Sequence, residues 1–454
     1  MTRRERPAAS PRRARWLAPA LAAAAVAVAV GITAVSASVN NGKRTPNPPA
    51  TQVTQVSTTA PSPSPAPSST PLAPRPAGHG SARPAATTTP PAQVAPPPLR
   101  NGQQADRSQI PWSQVGPGWH LISSTATPKA ATVPLYLVNP IGGRYLISQV
   151  ATDNSISAWS PDGRRALLIQ GAGEENTFTE LELATGQVLR TFNLTVNAHF
   201  VSYSRPKGQA ILVNAPFGKK NAAGDTEFAL QRFGTDGRHQ LTYPNELPGL
   251  GKLANDSALY SPDGTELLIG ARNGVALLRN DGHLIRTLPA PAKHSGCMPI
   301  KWWDAATVLM SCQNDALRSQ LNGPPSALLL QPVAGGSPTK LAGGSADAPF
   351  GFWNAWKYSG GLLLREGSGC GPGKLDVLRN GVISKLALPP GIADPPPLHA
   401  VDGDSVIVEQ RKNCAYEPTP VALFSVNIVT GAKMTLATGF SNRVLSYPRR
   451  SSTA

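Results

Sequence analysis

The 454-residue chain contains no Gly-x-Ser-x-Gly segment, and without that elbow it has no serine-hydrolase α/β domain. It has no Cys-x-x-Cys, and none of its seven histidines pairs with another at metal-ligand spacing, so no zinc motif is readable. The glycine-rich stretch 367–374 lacks Walker spacing and no helix-like pattern follows it, which makes it a loop and not a phosphate cradle. Runs of Lys and Arg are also missing after Trp112. The net charge is +16, yet residues 1–15 hold six arginines against one glutamate, and 43–111 hold six basic residues against one acidic. The basic balance therefore sits mainly outside the foldable region, and nucleic acid is not expected as a partner.

Aromatic and β-branched clusters are almost absent from 43–111, where Pro, Ala, Ser and Thr dominate, as in Pro61-Ser62-Pro63-Ser64-Pro65-Ala66-Pro67. Such a segment buries too little apolar surface to offset its ordering entropy, so 40–111 reads as a disordered stalk. In polyproline II form at about 3.1 Å per residue it would reach on the order of 200 Å. Ahead of it, 16–39 carries no charge, is rich in Ala, Val and Leu, and follows the arginine-rich tail 1–15. Its length suits one transmembrane helix, and the flanking arginines place the tail inside and the remainder outside. Cleavage near Val35-Ser36-Ala37, giving a secreted protein, is the alternative. A single-pass membrane protein with an extracytoplasmic C-terminal domain is expected, and export follows from either reading.

Cysteine is scarce too, with four residues, Cys297, Cys312, Cys370 and Cys414, all in the foldable region. An even number in an exported chain suggests disulfides. Of the three possible pairings, Cys297 with Cys312 and Cys370 with Cys414 is preferred.

What the sequence does have is a repeat. Gly-containing turns follow apolar runs at Gly142-Gly143, Gly186, Asp236-Gly237, Asp281-Gly282, Gly335-Gly336, Asn380-Gly381 and Gly431, about 43 to 54 residues apart, the spacing of four-stranded propeller blades. A continuous apolar triplet precedes six of them, as in Leu267-Leu268-Ile269 and Val406-Ile407-Val408. Continuity in place of alternation marks a strand covered on both faces. Before the triplets stand Trp159-Ser160-Pro161-Asp162-Gly163 and Tyr260-Ser261-Pro262-Asp263-Gly264, with Tyr203-Ser204-Arg205-Pro206-Lys207-Gly208 as a variant. This aromatic-Ser-Pro-Asp-Gly unit resembles the repeat of TolB-like and WD-repeat-like propellers over roughly 112–448. The resemblance implies an all-β, seven-bladed propeller and leaves the partner open. The first repeat lacks its own inner strand, and Arg443-Val444-Leu445-Ser446-Tyr447-Pro448 mimics the missing piece, so the C-terminal strand is expected to close the ring, leaving 449–454 as a tail.

No catalytic residue, metal ligand or cofactor is assignable from the sequence. Recognition is expected on the rim carrying the second-to-third-strand loops, where Glu174, Glu175, Lys219 and Lys220 are the candidate ligand-binding residues. Trp302-Trp303 and Trp353-x-x-Trp356 fall on inner strands, where they either line a carbohydrate-binding channel or fill the wedge between blades. The expected function is that of a monomeric binding or scaffold propeller for an extracytoplasmic protein, glycan or envelope component. The alternative is a propeller enzyme, of lyase, lactonase or glycosidase type, with a site assembled at the central channel.

Overall fold

The computed structural model describes residues 98–448, apart from 126, 128–129, 172–174, 221–225, 317–324, 344–350, 368–372, 393–395, 411–419 and 440–441. The expected transmembrane segment 16–39, Cys370 and Cys414 lie outside the described residues. Among the described residues, no helix is long and apolar enough to cross a membrane. The architecture is an all-β propeller with two single-turn 3₁₀ helices, Arg107–Gln109 and Trp112–Gln114.

Five discrete blade sheets form. The first joins Gln104–Asp106, Arg144–Ala151, Thr132–Val138, His120–Ser124 and Asn442–Ser446 in that spatial order. The second runs Ser155–Trp159, Arg165–Gln170, Glu175–Glu182 and Val188–Thr195, and the third Asn197–Tyr203, Ala210–Lys220, Thr226–Gly234 and His239–Thr242. A penultimate blade is built from Phe352–Tyr358, Gly361–Glu366, Leu375–Arg379 and Val382–Lys385. The last consists of Leu398–Asp402, Ser405–Glu409, Val421–Asn427 and Lys433–Gly439.

The expectation of seven discrete blades is corrected here, because the strands between the third and penultimate blades form one nine-stranded sheet. It contains a leading meander, 251–289, and a trailing meander, 294–343. They join where Ala271 pairs with Cys297. Gly270 permits this approach: a Cβ there would stand 2.5 Å from the Cys297 carbonyl oxygen. The disulfide Cys297–Cys312 ties the first two strands of the trailing meander together, as the sequence led one to expect.

The triplets are buried on both faces. Leu267, Leu268 and Ile269 are fully inaccessible, and their alternation sends them to different neighbours. Leu267 and Ile269 pack with Leu212 and Leu230 of the third blade, whereas Leu268 packs with Val308 and Met310 of the trailing meander. Each such leucine contributes about 1.5–3 kcal/mol by its burial.

The Ser-Pro-Asp-Gly turns work as closed hydrogen-bond units. Ser261 Oγ donates to Asp263 Oδ1 at 2.6 Å and accepts the Glu266 amide at 2.9 Å, while Asp263 Oδ1 accepts the Thr265 amide. Ser160, Asp162, Arg164 and Arg165 repeat the pattern. Gly163 and Gly264 close the turns at φ +76° and +77°, a region that costs a glycine nothing. In the Ser204 variant the aspartate is lost but Ser204 Oγ still accepts the Ala210 amide.

Ring closure follows the expected route. Asn442–Ser446 pairs antiparallel with His120–Ser124, placing Leu445 opposite Leu121. The Tyr447 ring then meets Trp159 of the second blade edge-on, with centroids 5.2 Å apart. One feature departs from the composition reading: part of the segment assigned to the stalk belongs to the fold. Gln104–Asp106 adds a parallel strand to the outer edge of the first blade, and Ile110 is buried in its core. Two apolar side chains, Leu99 and Ile110, pack into that core, and they are too sparse to shift the average composition.

Candidate functional site

Each four-strand meander has two ends. At one lie the Ser-Pro-Asp-Gly turns and their equivalents, and at the other the second-to-third-strand loops. Of the residues the sequence singled out on the loop rim, Glu175 opens the strand Glu175–Glu182 and Lys220 ends Ala210–Lys220. Both are exposed. Among the described residues neither forms an ion pair, Glu174 lies outside them, and the Lys219 side chain is not placed.

The base of the loop rim is described in detail on the penultimate blade. Its second strand ends at Glu366, whose amide donates to the Lys374 carbonyl at 2.9 Å and so pinches the base of the loop between them. Gly373 holds φ +71°, and a Cβ there would stand 2.1 Å from the Glu366 carbonyl oxygen, so only glycine fits. Glu366 is 5% exposed and lies 3.5 Å from the Lys374 ammonium. On the neighbouring strand, burial and then the negative charge of Glu366 push the Asp376 pKa up.

An aromatic platform stands beside them. Phe352 is buried and anchors the start of the inner strand, while the next residue, Trp353, is 48% exposed. Its indole lies against Gly367, where a Cβ would come within 2.4 Å of Nε1. The glycine therefore gives the ring its seat.

Arg365 has a different environment from these carboxylates. It pairs with Leu375, and Leu363 pairs with Val377. Leu363, Leu375 and Val377 all pack with Leu398, Val406 and Val408 of the last blade. Because paired residues share a sheet face and alternate residues do not, Arg365 lies on the face turned to the last blade. Glu366 and Asp376 share the opposite face with Leu364, which packs with the trailing meander. On the last blade, Ile407 packs toward the first blade, and Glu409 follows it onto that side. Glu409, 3% exposed, has His399 Nε2 at 3.4 Å. Strand alternation thus turns three nearby carboxylates away from Arg365. Among the described residues its Nε is buried with no hydrogen-bond partner, and burial pulls its pKa below the usual guanidinium range.

The tryptophans at the other rim are arranged as a ladder. Lys301 Nζ lies 4.5 Å from the Trp356 ring centroid, and Lys357 Nζ lies 4.9 Å from that of Trp303. Trp302 Nε1 donates to the Tyr260 carbonyl. These rings are partly buried and packed against the core, so wedge filling accounts for Trp302, Trp303 and Trp356, and Trp353 is the exposed member.

Elsewhere, the fully buried Glu180 lies between Arg165 at 2.9 Å and Arg190 at 3.0 Å and accepts from Tyr203 Oη. Burial, with the Glu180 charge second, drives the Tyr203 pKa far up, so its hydroxyl stays a donor. This network bridges the second and third blades, with Glu180 fully buried and Arg190 reaching solvent. A groove beside the first blade is lined by Asp106, Arg107, Ser108 and 146–149, with Arg107 held by the Ile147 carbonyl. Among the described residues, no group of three or more His, Cys, Asp or Glu side chains could hold a metal ion.

No protein-family model matches the chain. No curated protein matches it either. Its neighbours among solved structures include TolB from Acinetobacter baumannii, at 12% identity and TM-score 0.38, covering 72% of this chain and 65% of that one. They also include the β-propeller domain of the Trilobed protease from Pyrococcus furiosus, at 10% identity and TM-score 0.44, covering 70% and 94%. A hypothetical selenium-binding protein from Sulfolobus tokodaii matches at 11% identity and TM-score 0.46, covering 75% and 96%.

Proposed function

We propose that this chain is a binding propeller, held at the membrane by 16–39 on the extracytoplasmic side, that recognises a glycan of the cell envelope through the loop rim of its penultimate blade. The observation supporting this reading is Trp353. A 48% exposed indole, seated on Gly367 and fixed by the buried Phe352 beside it, is a rigid surface on which a sugar ring can stack. The strand it lies on pairs with the one ending at Glu366, so the ring stands at a rigid sheet end, the usual setting for recognition. The stalk would let the rim sample the envelope away from the membrane.

The test uses the full-length protein titrated with polysaccharide fractions of the envelope, followed by tryptophan fluorescence. Binding that falls at least tenfold in Trp353→Ala, with the melting temperature unchanged, is the expected result. Equal binding by the variant would sink the reading.

An enzyme is the second reading, and one observation favours it. Burial and the Glu366 charge raise the Asp376 pKa, so two carboxyl groups, one of them held toward its neutral form, share a sheet face at the loop end of the blade. Mass spectrometry of any bound polymer after prolonged incubation separates the two: shortened chains mean an enzyme, intact chains a binder.

A further inference from the structure

We propose that residues 99–110 form a tension clasp, which carries a pull on the N-terminal segment along the outer edge of the first blade and shares it between the first two blades, so that the propeller keeps its loop rim intact under load. It rests on the reading above and deepens it, because a chain held at the membrane by one end and at a glycan by its loop rim is pulled at both.

Among the described residues, the first blade differs from the other discrete blades in having a fifth strand. Gln104–Asp106 lies parallel to the start of Arg144–Ala151, with Gln104 opposite Arg144 and Asp106 opposite Leu146. The chain therefore arrives at the turn rim, beside Gly142 and Gly143, and runs toward the loop rim. Direction decides how such an edge resists force. A pull away from the turn rim, opposed at the loop rim, acts along the strand axis, so the hydrogen bonds that run across the edge are strained together. A strand entering from the loop rim would be folded back by the same pull and peeled one bond at a time.

Polar and packing contacts follow one another along this path. Asn139, 2% exposed, donates from Nδ2 to the Leu99 carbonyl at 2.8 Å, while its Oδ1 accepts the Ile141 and Gly143 amides. One buried amide thus ties the incoming chain to the turn that opens Arg144–Ala151. Gly143 allows the approach, since a Cβ there would overlap the Leu99 carbonyl. Next, Arg100 bridges to Gly142, and the Arg144 amide donates to the Gln103 carbonyl at 3.0 Å. Arg107 Nη1 then donates to the Ile147 carbonyl at 3.0 Å. That guanidinium lies against Gly186 of the second blade, where a Cβ would overlap Nη1. Ile110, 6% exposed, ends the path in a core that also holds Tyr145 of the first blade and Trp159 and Leu181 of the second.

Completing the blade does not account for these contacts. Among the described residues, the other four discrete sheets stand with four strands each, and burial of Ile110 by itself would fill the core. The buried amide at the mouth of the edge and the guanidinium seated against the neighbouring blade come into use when the chain is pulled, because each must give before Ile110 can leave its core.

The experiment stretches single molecules of the full-length protein between the N-terminus and an azide-bearing residue placed at Gln170, an exposed position at the loop end of the second blade. A second geometry, from the C-terminus to the same position, leaves the clasp unloaded. Under N-terminal pulling, Asn139→Ala combined with Arg107→Ala is expected to lower the unfolding force by at least a third, since forced unfolding follows the unfolding barrier. It is also expected to add an early step of about 70 Å as 98–118 comes free, at roughly 3.3–3.6 Å per residue. Under C-terminal pulling, wild type and variant are expected to unfold at equal force. Arg107→Ala alone, which alters an exposed side chain, should give a smaller loss with the same dependence on geometry. A loss of equal size in both geometries would show that the segment only stabilises the fold. No loss in either, or an early step of that length in wild type, would show that it bears no tension, and each of these results overturns the clasp. The force is imposed from outside, so the outcome is independent of glycan binding, which the titration above decides.

Discussion

The two ends of the strands solve the same problem in opposite ways. At the turn rim, Ser160 and Ser261 bond to their own aspartates and to the strand that follows, so each turn satisfies its polar groups locally. Among the described residues, buried side-chain atoms without partners are found toward both rims: Arg144 Nε, Arg232 Nε, Tyr260 Oη and Gln331 Oε1 lie nearer the turns, and Ser124 Oγ, Asn214 Oδ1 and Arg365 Nε lie on second strands. The last three residues pair with an asparagine of the inner strand, Asn442, Asn197 and Asn354. The turn rim is built to be finished by the chain itself. The loop rim has no such repeated hydrogen-bond unit among the described residues, and its sequence differs from blade to blade, the usual setting for recognition.

Three substitutions would break or sharpen that contrast. The largest effect is expected from Cys297→Ala with Cys312→Ala, because the disulfide closes a 15-residue separation near the loop end of the trailing meander. Chain entropy for such a loop predicts a loss of about 3 kcal/mol, read by denaturant unfolding. A loss well under 1 kcal/mol would mean that the joint at Ala271 and Gly270 holds the loop end without it.

Ser261→Ala comes next. It orphans the Glu266 amide and removes a donor from Asp263, and a destabilisation of about 1–2 kcal/mol is expected. The Asp263 pKa is held down, first by the Ser261 hydroxyl and also by the Thr265 amide and hydroxyl. A depressed carboxyl contributes stability above its unfolded pKa and loses it as pH falls through the folded one. The gap between wild type and variant should therefore narrow in acid, leaving the part due to the orphaned Glu266 amide. If the gap persists unchanged at low pH, the turn is not the hydrogen-bond unit described.

The smallest effect belongs to the loop rim. Burial raises the Asp376 pKa, so its contribution is fully present below the unfolded value and is lost as pH rises through the folded one. Asp376→Asn should melt slightly above wild type at neutral pH, by the equivalent of under about 1 kcal/mol, and the advantage should vanish in acid. A variant less stable than wild type at neutral pH would show that the ionised carboxylate has a partner.

Much of the scaffold was legible before any coordinates. The aromatic-Ser-Pro-Asp-Gly units, the triplets such as Leu267-Leu268-Ile269 and the mimicry by 443–448 announce turns, doubly covered strands and ring closure, because each depends on residues adjacent in the chain. The merging of two meanders into one sheet was not legible. It depends on Gly270 lying under the Cys297 carbonyl, a contact between residues that no local pattern connects. The rim residues were legible only in part. Reading 367–374 as a loop needs only its glycine-rich composition, but the register shift between Phe352 and Asn354 decides which side chains share a face.

By itself the sequence determined the repeat, the turn chemistry and the preferred disulfide, since periodicity and local hydrogen bonding are properties of neighbouring residues. Only the tertiary structure decided how many sheets stand apart, that part of the stalk joins the first blade, and that Arg365 faces away from Glu366, Asp376 and Glu409. The physical reason is the two-residue period of a strand: one step along the chain reverses a side chain, and only the packing of the blades tells which neighbour then receives it.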